Sequence, residues 1–465
     1  MNHTTPHSAG RVLATNGERY RAITRSNVAQ TRVWGALAPE VREAVTTVST
    51  VLPFRTNEYV MRELIDWSRV PADPIFQLTF PQRGMLSDAD YAAMRDLLGR
   101  GAPAAEIERE ANRIRRTLNP HPGGQMTQNV PQWRGEPLAG VQHKYRETVL
   151  FFPSHGQTCH AYCTFCFRWA QFVGIDELKF SSREIEQLVG YLKEHREVTN
   201  VLFTGGDPMI MSAGNLRRYI APLLDPALDH IHSIRIGTKS VAYWPQRFVS
   251  DADADDVLRL FEEVVGAGRH LALMAHYSHP VELSTEMSRA AVRRIRATGA
   301  NIRMQSPVIR HVNDHPDVWV DLWKAGLRLG CVPYYVFVER DTGARNYFEL
   351  PLSQCWSIYR RAYSRVSGLA RTVRGPSMSA TPGKVHVLGV SDFAGEKVFV
   401  LQYVQARNPK LVRRPFFAKF DPKATWFDQL EPATPADQGF FPHWPAAASA
   451  GPFVPLTTPT RTDAA

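Results

Sequence analysis

From Thr148 onward the chain alternates short apolar runs with helical patterns, and this rhythm limits its fold more than any other feature. The runs cover 148–153, 200–204, 233–237, 270–276, 302–308 and 332–338. Helical periodicity fills 183–195, 214–224, 253–266, 284–297, 315–328 and 352–366. After a long first connection, the strands recur roughly every thirty to thirty-seven residues. Such alternation gives a parallel sheet with right-handed crossovers. Six units predict an α/β fold, a partial (βα)6 TIM-like barrel rather than a closed eight-fold one.

The flanks read differently. Residues 1–40 are polar and irregular, a flexible arm. Residues 41–142 form a helical N-terminal domain and a loop, with helices expected over 40–51, 87–98 and 104–118. Asn119-Pro120-His121-Pro122-Gly123-Gly124 stops the third helix. The barrel is expected over 143–370 and a C-terminal segment over 371–430, with two short strands at 385–390 and 397–403. Residues 431–465, rich in Pro, Ala and Thr, read as a disordered tail.

Within the long first connection, Cys159, Cys163 and Cys166 fall in the pattern C-x3-C-x2-C, three of only five cysteines in 465 residues. Three thiolates can hold three irons of a [4Fe-4S] cluster and leave the fourth open to a small molecule. A structural zinc site would need His160 as a fourth ligand. A disulfide framework suits short secreted chains with even cysteine counts, which this is not. Polar residues also gather where the strands end: Gly205-Gly206-Asp207 after the second, Lys239 after the third, His276 closing the fourth and Gln305 in the fifth. Groups at the carboxyl ends of parallel strands converge on one mouth, where active sites of such folds lie.

Composition excludes little but guides. The content of 44% hydrophobic and 22% charged residues is that of an ordinary globular protein. The first twenty residues lack a continuous apolar run, and no stretch of about eighteen apolar residues occurs, so no signal peptide, anchor or membrane span is expected. A net charge of +10 invites a nucleic-acid reading, but the arginines are scattered over helix faces without interleaved aromatics. We therefore expect no nucleic-acid or membrane partner, and anionic small molecules instead. A cluster and few cysteines suit the reducing cytoplasm.

Taken in order, KYRETVLFF, CHAYCTFCFR, VLFTGGDPMIMS, IRIGTKSVAYWPQR, HYSHP, QSPVIRHVND, PYYVF and PGKV resemble the lysine 2,3-aminomutase family of the radical S-adenosylmethionine (SAM) superfamily, over roughly Lys144 to Tyr403. The resemblance implies a barrel of the radical SAM type, a [4Fe-4S] cluster, SAM and pyridoxal 5′-phosphate (PLP). The open iron would chelate the methionine end of SAM, and one electron would release a 5′-deoxyadenosyl radical. Gly205 and Gly206, lacking side chains, would let backbone approach the ligand, and Asp207 would pair with the methionine ammonium. The resemblance makes His276 and Gln305 contacts to the adenosyl portion, and Phe165, between two cluster ligands, is placed to pack on the adenine. Lys384 follows a flexible small-residue loop and matches the family's PLP lysine, with one glycine before it where the family has a run. Lys144 matches one of two phosphate-contacting basic positions; the other falls near Thr148, with Arg146 nearby as a substitute. Arg168 matches the arginine that clamps the substrate carboxylate, a task for its planar fork.

Substrate identity is where the chain departs from the family. Where lysine-specific members place two aspartates against the distal ammonium, ungapped matching puts Arg340 and Ser377, with Asp341 one residue away. An arginine would repel that ammonium, so an acidic or neutral amino acid is expected. The family's C-terminal zinc cysteines are absent, and no zinc is expected. The resulting expectation is an isomerase, an aminomutase moving an α-amino group to the β-carbon, served by a one-electron donor such as flavodoxin or ferredoxin. Homo-oligomeric assembly is compatible with it. Its rivals are a radical SAM enzyme that oxidises or epimerises without amino migration, lysine 2,3-aminomutase proper, and a non-enzymatic iron–sulfur module.

Overall fold

A computed structural model describes residues 19–119, 129–174 and 180–441. Most of the expected arm (1–18), the stop after the third helix (120–128) and the far part of the expected tail (442–465) lie outside the described residues.

One eleven-stranded sheet organises the molecule. Its strands are β1 (Val141–Tyr145), β2 (Thr148–Phe151), β3 (Asn200–Phe203), β4 (Ser233–Thr238), β5 (His270–His276), β6 (Asn301–Val308), β7 (Val332–Val338), β8 (Arg374–Ser379), β9 (Gly383–Phe393), β10 (Glu396–Ala406) and β11 (Pro415–Lys419). Their spatial order is the chain order, and the two edge strands do not pair with each other. Strands β2 to β8 are parallel, with Thr148 opposite Asn200, Asn200 opposite Ser233, Ser233 opposite His270 and Tyr335 opposite Arg374. Strand β1 pairs antiparallel with β2, and β9 to β11 continue antiparallel from β8. The segment expected as a separate unit after residue 370 thus prolongs the same sheet, by a parallel strand (β8) and a last strand (β11) that the sequence did not signal. It adds a small core of its own around Met378, Val385, Phe399, Phe416 and Phe427.

The helices between these strands are α4 (Ile185–Glu194), α5 (Ala213–Ile220), α6 (Ala254–Gly266), α7 (Glu286–Ala297), α8 (Pro316–Arg328) and α9 (Leu352–Tyr363). The N-terminal region before them carries α1 (Pro39–Val48), α2 (Asp88–Gly99) and α3 (Ala104–Leu118). Caps set several starts: Ser87, Ser212 and Thr285 each accept from the backbone N–H three residues on. Helix α6 buries Val257, Leu258, Leu260, Phe261 and Val264 along one stripe. It packs against both α5 and α7, and α8 packs against α9, so the helices form a single layer. Strand β4 alternates accordingly: Ile234, Ile236 and Thr238 are buried, while Arg235 and Gly237 stand on the half-buried face. The same half-buried face of β6 carries Arg303 and Gln305.

Two boundaries move. The N-terminal region shares one continuous core with the sheet, through residues such as Phe54, Phe76 and Phe80. Residues 431–441, expected to open a tail, instead pack: Phe440 stacks on Phe416 at 4.6 Å, and its carbonyl accepts from Tyr403 Oη at 2.6 Å.

Candidate active site

The loop bearing Cys159, Cys163 and Cys166 is held from both sides by backbone hydrogen bonds. From the N-terminal region, Arg55 O accepts from Tyr162 N at 2.8 Å and Leu78 O from Thr164 N at 2.9 Å. Asn57 Nδ2 donates to His160 O at 3.2 Å and to Tyr243 O at 3.0 Å. Within the loop, Cys166 N donates to Cys163 O. All three thiols are free and half-buried. Burial lifts Cys163 to about 12 and Cys166 to about 11, so a metal held there would have to supply the charge that keeps them thiolates. His160, the fourth ligand a zinc site would require, is engaged elsewhere: its Nδ1 lies 2.8 Å from Ser240 Oγ and its carbonyl accepts from Tyr20.

The Gly205-Gly206-Asp207 turn serves this loop more directly than the sequence reading supposed. A Cβ on Gly206 would lie 2.5 Å from Thr158 N, and Asp207 N donates to Thr158 O at 2.7 Å. Gly205, at φ +136°, leaves room for Gln157. The close approach that needs glycine is therefore to the cysteine loop. Asp207 requires a correction. Its Oδ2 accepts from Thr238 Oγ1 (2.9 Å), Lys239 N (2.8 Å), Ser240 N (3.0 Å) and Ser240 Oγ (2.9 Å), and its Oδ1 from Met209 N (2.9 Å). A buried carboxylate so occupied fastens two turns together and has little capacity left for an ammonium group.

His276 and Gln305 do meet, with Nε2 to Nε2 at 2.9 Å, at the carboxyl ends of β5 and β6. Burial, and then the nearby Lys239 cation, lower His276 to about 3, so its imidazole is neutral. Beside them lies a pair the sequence reading missed: Lys239 Nζ donates to the fully buried Glu282 at 2.7 Å. A glutamate in an apolar stretch (HPVEL) was the available signal. Phe165 packs edge-on to Phe348, with ring centroids 6.3 Å apart.

On the other flank, three cations from separate elements reach consecutive carbonyls of the turn before Lys384. Arg340 Nη1 donates to Ser379 O at 3.3 Å, Lys144 Nζ to Ala380 O, and Arg407 Nε to Thr381 O at 3.0 Å. Arg340 also joins this flank to the cysteine loop, since its guanidinium lies 5.5 Å from the Phe167 ring. Lys384 Nζ stands 4.2 Å from the Tyr335 ring centroid. Burial, helped by Arg235 and Arg374, lowers its amine to about 7. Burial likewise lowers Lys144 to about 7, with Arg407, Arg340 and Lys384 adding to it.

Arg146 is exposed in the turn between β1 and β2 and does not join the group, which corrects its assignment as a phosphate contact. Arg407, at the end of β10, stands beside Lys144 instead; nothing in the sequence marked it. Several polar atoms around the site are buried without a hydrogen-bond partner: Arg340 Nε and Ser377 Oγ on this flank, and Arg168 Nε and Nη2 beside the cysteines. Arg340 Nε has Asp341 Oδ1 at 3.6 Å. Arg168 lies over Phe152, 4.4 Å from the ring. Such atoms cost free energy unless a ligand meets them.

The family model described as Radical SAM superfamily matches residues 154–316. An Aquifex aeolicus protein named "Putative L-lysine 2,3-aminomutase" is 30% identical over 84% of this chain and 90% of its own length. The chain belongs to the lysine 2,3-aminomutase family of radical SAM proteins. The L-lysine 2,3-aminomutases of Methanococcus maripaludis and Clostridium subterminale are each 26% identical over 50% of the chain, and the chain spans about half of their length, 51% and 52%. A radical SAM methyltransferase structure from Sphaerobacter thermophilus aligns with 50% of this chain and 68% of its own at a TM-score of 0.37 and 16% identity, too distant to refine the comparison.

Membership implies a [4Fe-4S] cluster and SAM; Cys159, Cys163 and Cys166 are the residues that would hold the cluster, although among the described residues no three His, Cys, Asp or Glu side chains are gathered to hold a metal ion. The three thiols share one strapped loop, and the neutral His276–Gln305 pair lies at the strand ends that face it. Among the described residues no helix is long and apolar enough to cross a membrane.

Proposed function

We propose that the chain is a radical SAM, PLP-dependent aminomutase that moves the α-amino group of an acidic or neutral amino acid to the β-carbon. One observation carries this reading: Lys384 stands 4.2 Å from the Tyr335 ring, beside Arg235 and Arg374, on a flank joined through Arg340 to the cysteine loop. The sequential strand order with one layer of helices supports a partial barrel as the scaffold. When bound, the cluster and SAM supply a 5′-deoxyadenosyl radical, and PLP supplies a sink for the unpaired electron.

The chain's own residues divide the remaining work. The Lys384 amine, about half neutral near pH 7, is the nucleophile that attaches the cofactor carbonyl. Arg168, with two buried unpartnered nitrogens, holds the substrate carboxylate. The neutral His276 and Gln305 contact the adenosyl portion without adding charge beside the sulfonium. Arg340 and Ser377 meet the distal end of the substrate. There a guanidinium repels an ammonium and attracts a carboxylate, while a hydroxyl accepts either a neutral or an acidic group. Overall, one hydrogen leaves the β-carbon and returns at the α-carbon as nitrogen moves the other way, so no net redox change occurs. A one-electron donor such as flavodoxin or ferredoxin starts the cycle.

The names of the relatives favour lysine as substrate, and Arg340 opposes it. Anaerobic incubation of the reconstituted protein with SAM, reductant and pooled amino acids decides between them. Glutamate or aspartate should give β-amino products ahead of lysine. Release of 5′-deoxyadenosine with oxidised or epimerised product, and no β-amino acid, defeats the aminomutase reading. Lys384→Ala should abolish PLP uptake and leave the iron chromophore unchanged.

A further inference from the structure

The half-buried face of the sheet carries a second group of cations, separate from the three that cap the turn before Lys384. Arg235 on β4 and Arg303 on β6 stand two residues before Gly237 and Gln305 on the same face. They therefore lie one side-chain layer, roughly 7 Å, deeper than the His276–Gln305 pair. Arg374 at the start of β8 completes the group, 4.7 Å from the Tyr334 ring and 4.3 Å from the Tyr335 ring. Arg303 lies 5.7 Å from Tyr334, and Lys384 shares Tyr335 with Arg374. Among the described residues no carboxylate stands within ion-pair distance of Arg235, Arg303 or Arg374.

Like charges gathered away from water repel one another unless an anion joins them. Burial lowers the basicity of Arg235, and both Arg235 and Arg374 lower that of Lys384. The position of Arg235 is informative. The second basic position of the family pattern falls near Thr148, which is opposite Asn200 on β3. Asn200 Oδ1 accepts from Arg235 Nε at 2.8 Å. The guanidinium is thus anchored beside the very strand position that lacks a cation.

We propose that Arg235 and Arg374, lying beneath Lys384 on the half-buried face, form the phosphate subsite of this chain and replace the missing basic residue at Thr148. The inference rests on the PLP reading above. Two guanidinium forks suit a phosphate dianion better than a single carboxylate. The polar rings of Tyr334 and Tyr335 keep the forks apart and in place. Lys384 then has the cofactor's anionic end on its deeper side and the substrate's anionic groups toward Arg168 and Arg340.

The test compares PLP with pyridoxal, which lacks the phosphate, in equilibrium uptake by the cluster-loaded protein, read by visible absorbance. The wild type should take PLP more tightly than pyridoxal. Arg374→Gln and Arg235→Gln should weaken PLP by roughly ten- to a hundredfold and leave pyridoxal unchanged. Arg374→Lys should restore part of the loss. As a control free of PLP, inorganic phosphate should raise the melting temperature of the wild type and not of Arg374→Gln. PLP uptake of wild-type affinity in both Gln variants overturns the subsite and leaves the cofactor reading standing. So does equal loss of PLP and pyridoxal, or loss of glutamate binding with PLP intact. Uptake of neither compound by the wild type defeats the cofactor reading, and the subsite with it.

Discussion

The two flanks of the site are built on opposite electrostatic plans. On the cysteine side the charged and imidazole groups at the strand ends are matched: Asp207 has five donors, Lys239 has Glu282, and His276 has Gln305, with Arg55 Nε, Thr56 Oγ1 and Gln157 Oε1 left over. On the Lys384 side Arg340 Nε and Ser377 Oγ are buried without hydrogen bonds, as Arg168 Nε and Nη2 are beside Cys166. A matched network is rigid before any ligand arrives. An unmatched one is held at a cost that a bound anion removes. On this contrast rest the roles proposed for the two flanks, the cysteine side to carry a cluster and the lysine side to be completed by anions.

The largest effects should come from the matched flank. Cys159→Ala, Cys163→Ala or Cys166→Ala should each remove the iron chromophore and all 5′-deoxyadenosine production, since no other thiol lies in the loop. Asp207→Ala should lower stability by about 3–4 kcal/mol in chemical denaturation, because it strands several buried donors at once. Arg168→Met, which removes unpartnered buried nitrogens beside Cys166, should leave the ligand-free protein as stable as the wild type or more so, while abolishing amino-acid binding. A comparable loss of stability from Arg168→Met would break the contrast between matched and unmatched groups.

The same contrast explains what could be read in the sequence. The six strand–helix units and the cysteine triplet were legible because local periodicity and spacing encode them. Lys384 was singled out through its place after a small-residue turn, and the structure sets it against Tyr335. The partners of Asp207 were not, since three of its donors are backbone N–H groups brought close only by the fold. Arg146 and Arg407 show the limit most clearly. Arg146 is near Lys144 in sequence and exposed, whereas Arg407 is 263 residues away and adjacent, because β10 joins the sheet by pairing that the chain does not announce.

Substrate choice tests the unmatched flank next. Arg340→Asp should shift the ratio of lysine to glutamate turnover toward lysine by roughly ten- to a hundredfold, as one repulsive contact becomes attractive. A change in cluster content in this variant would instead mean that Arg340 acts through Phe167 and the cysteine loop. An unchanged ratio, with both substrates slowed, would remove Arg340 from substrate recognition.

The smallest effect concerns proton balance at Lys384. Its amine must be neutral to attach PLP, and burial, followed by Arg235 and Arg374, places it at about 7. Between pH 6 and pH 8 the neutral fraction of such an amine rises about tenfold and then levels off. An ordinary lysine, near 10.4, would gain about a hundredfold over the same interval with no plateau. The rate of PLP attachment to apoprotein should therefore climb and flatten near pH 8. In Arg374→Gln the plateau should move to higher pH, because the favourable charge of the lysine is opposed by one cation fewer. The movement should be small, since burial is the larger cause and the substitution leaves it in place. Lys144, lowered to about 7 for the same leading reason, is the internal control. Any attachment that persists in Lys384→Ala belongs to it, and subtracting that phase isolates the titration of Lys384. A wild-type rate still rising tenfold per pH unit above pH 8 would show that the enclosure around Lys384 does not hold its amine neutral.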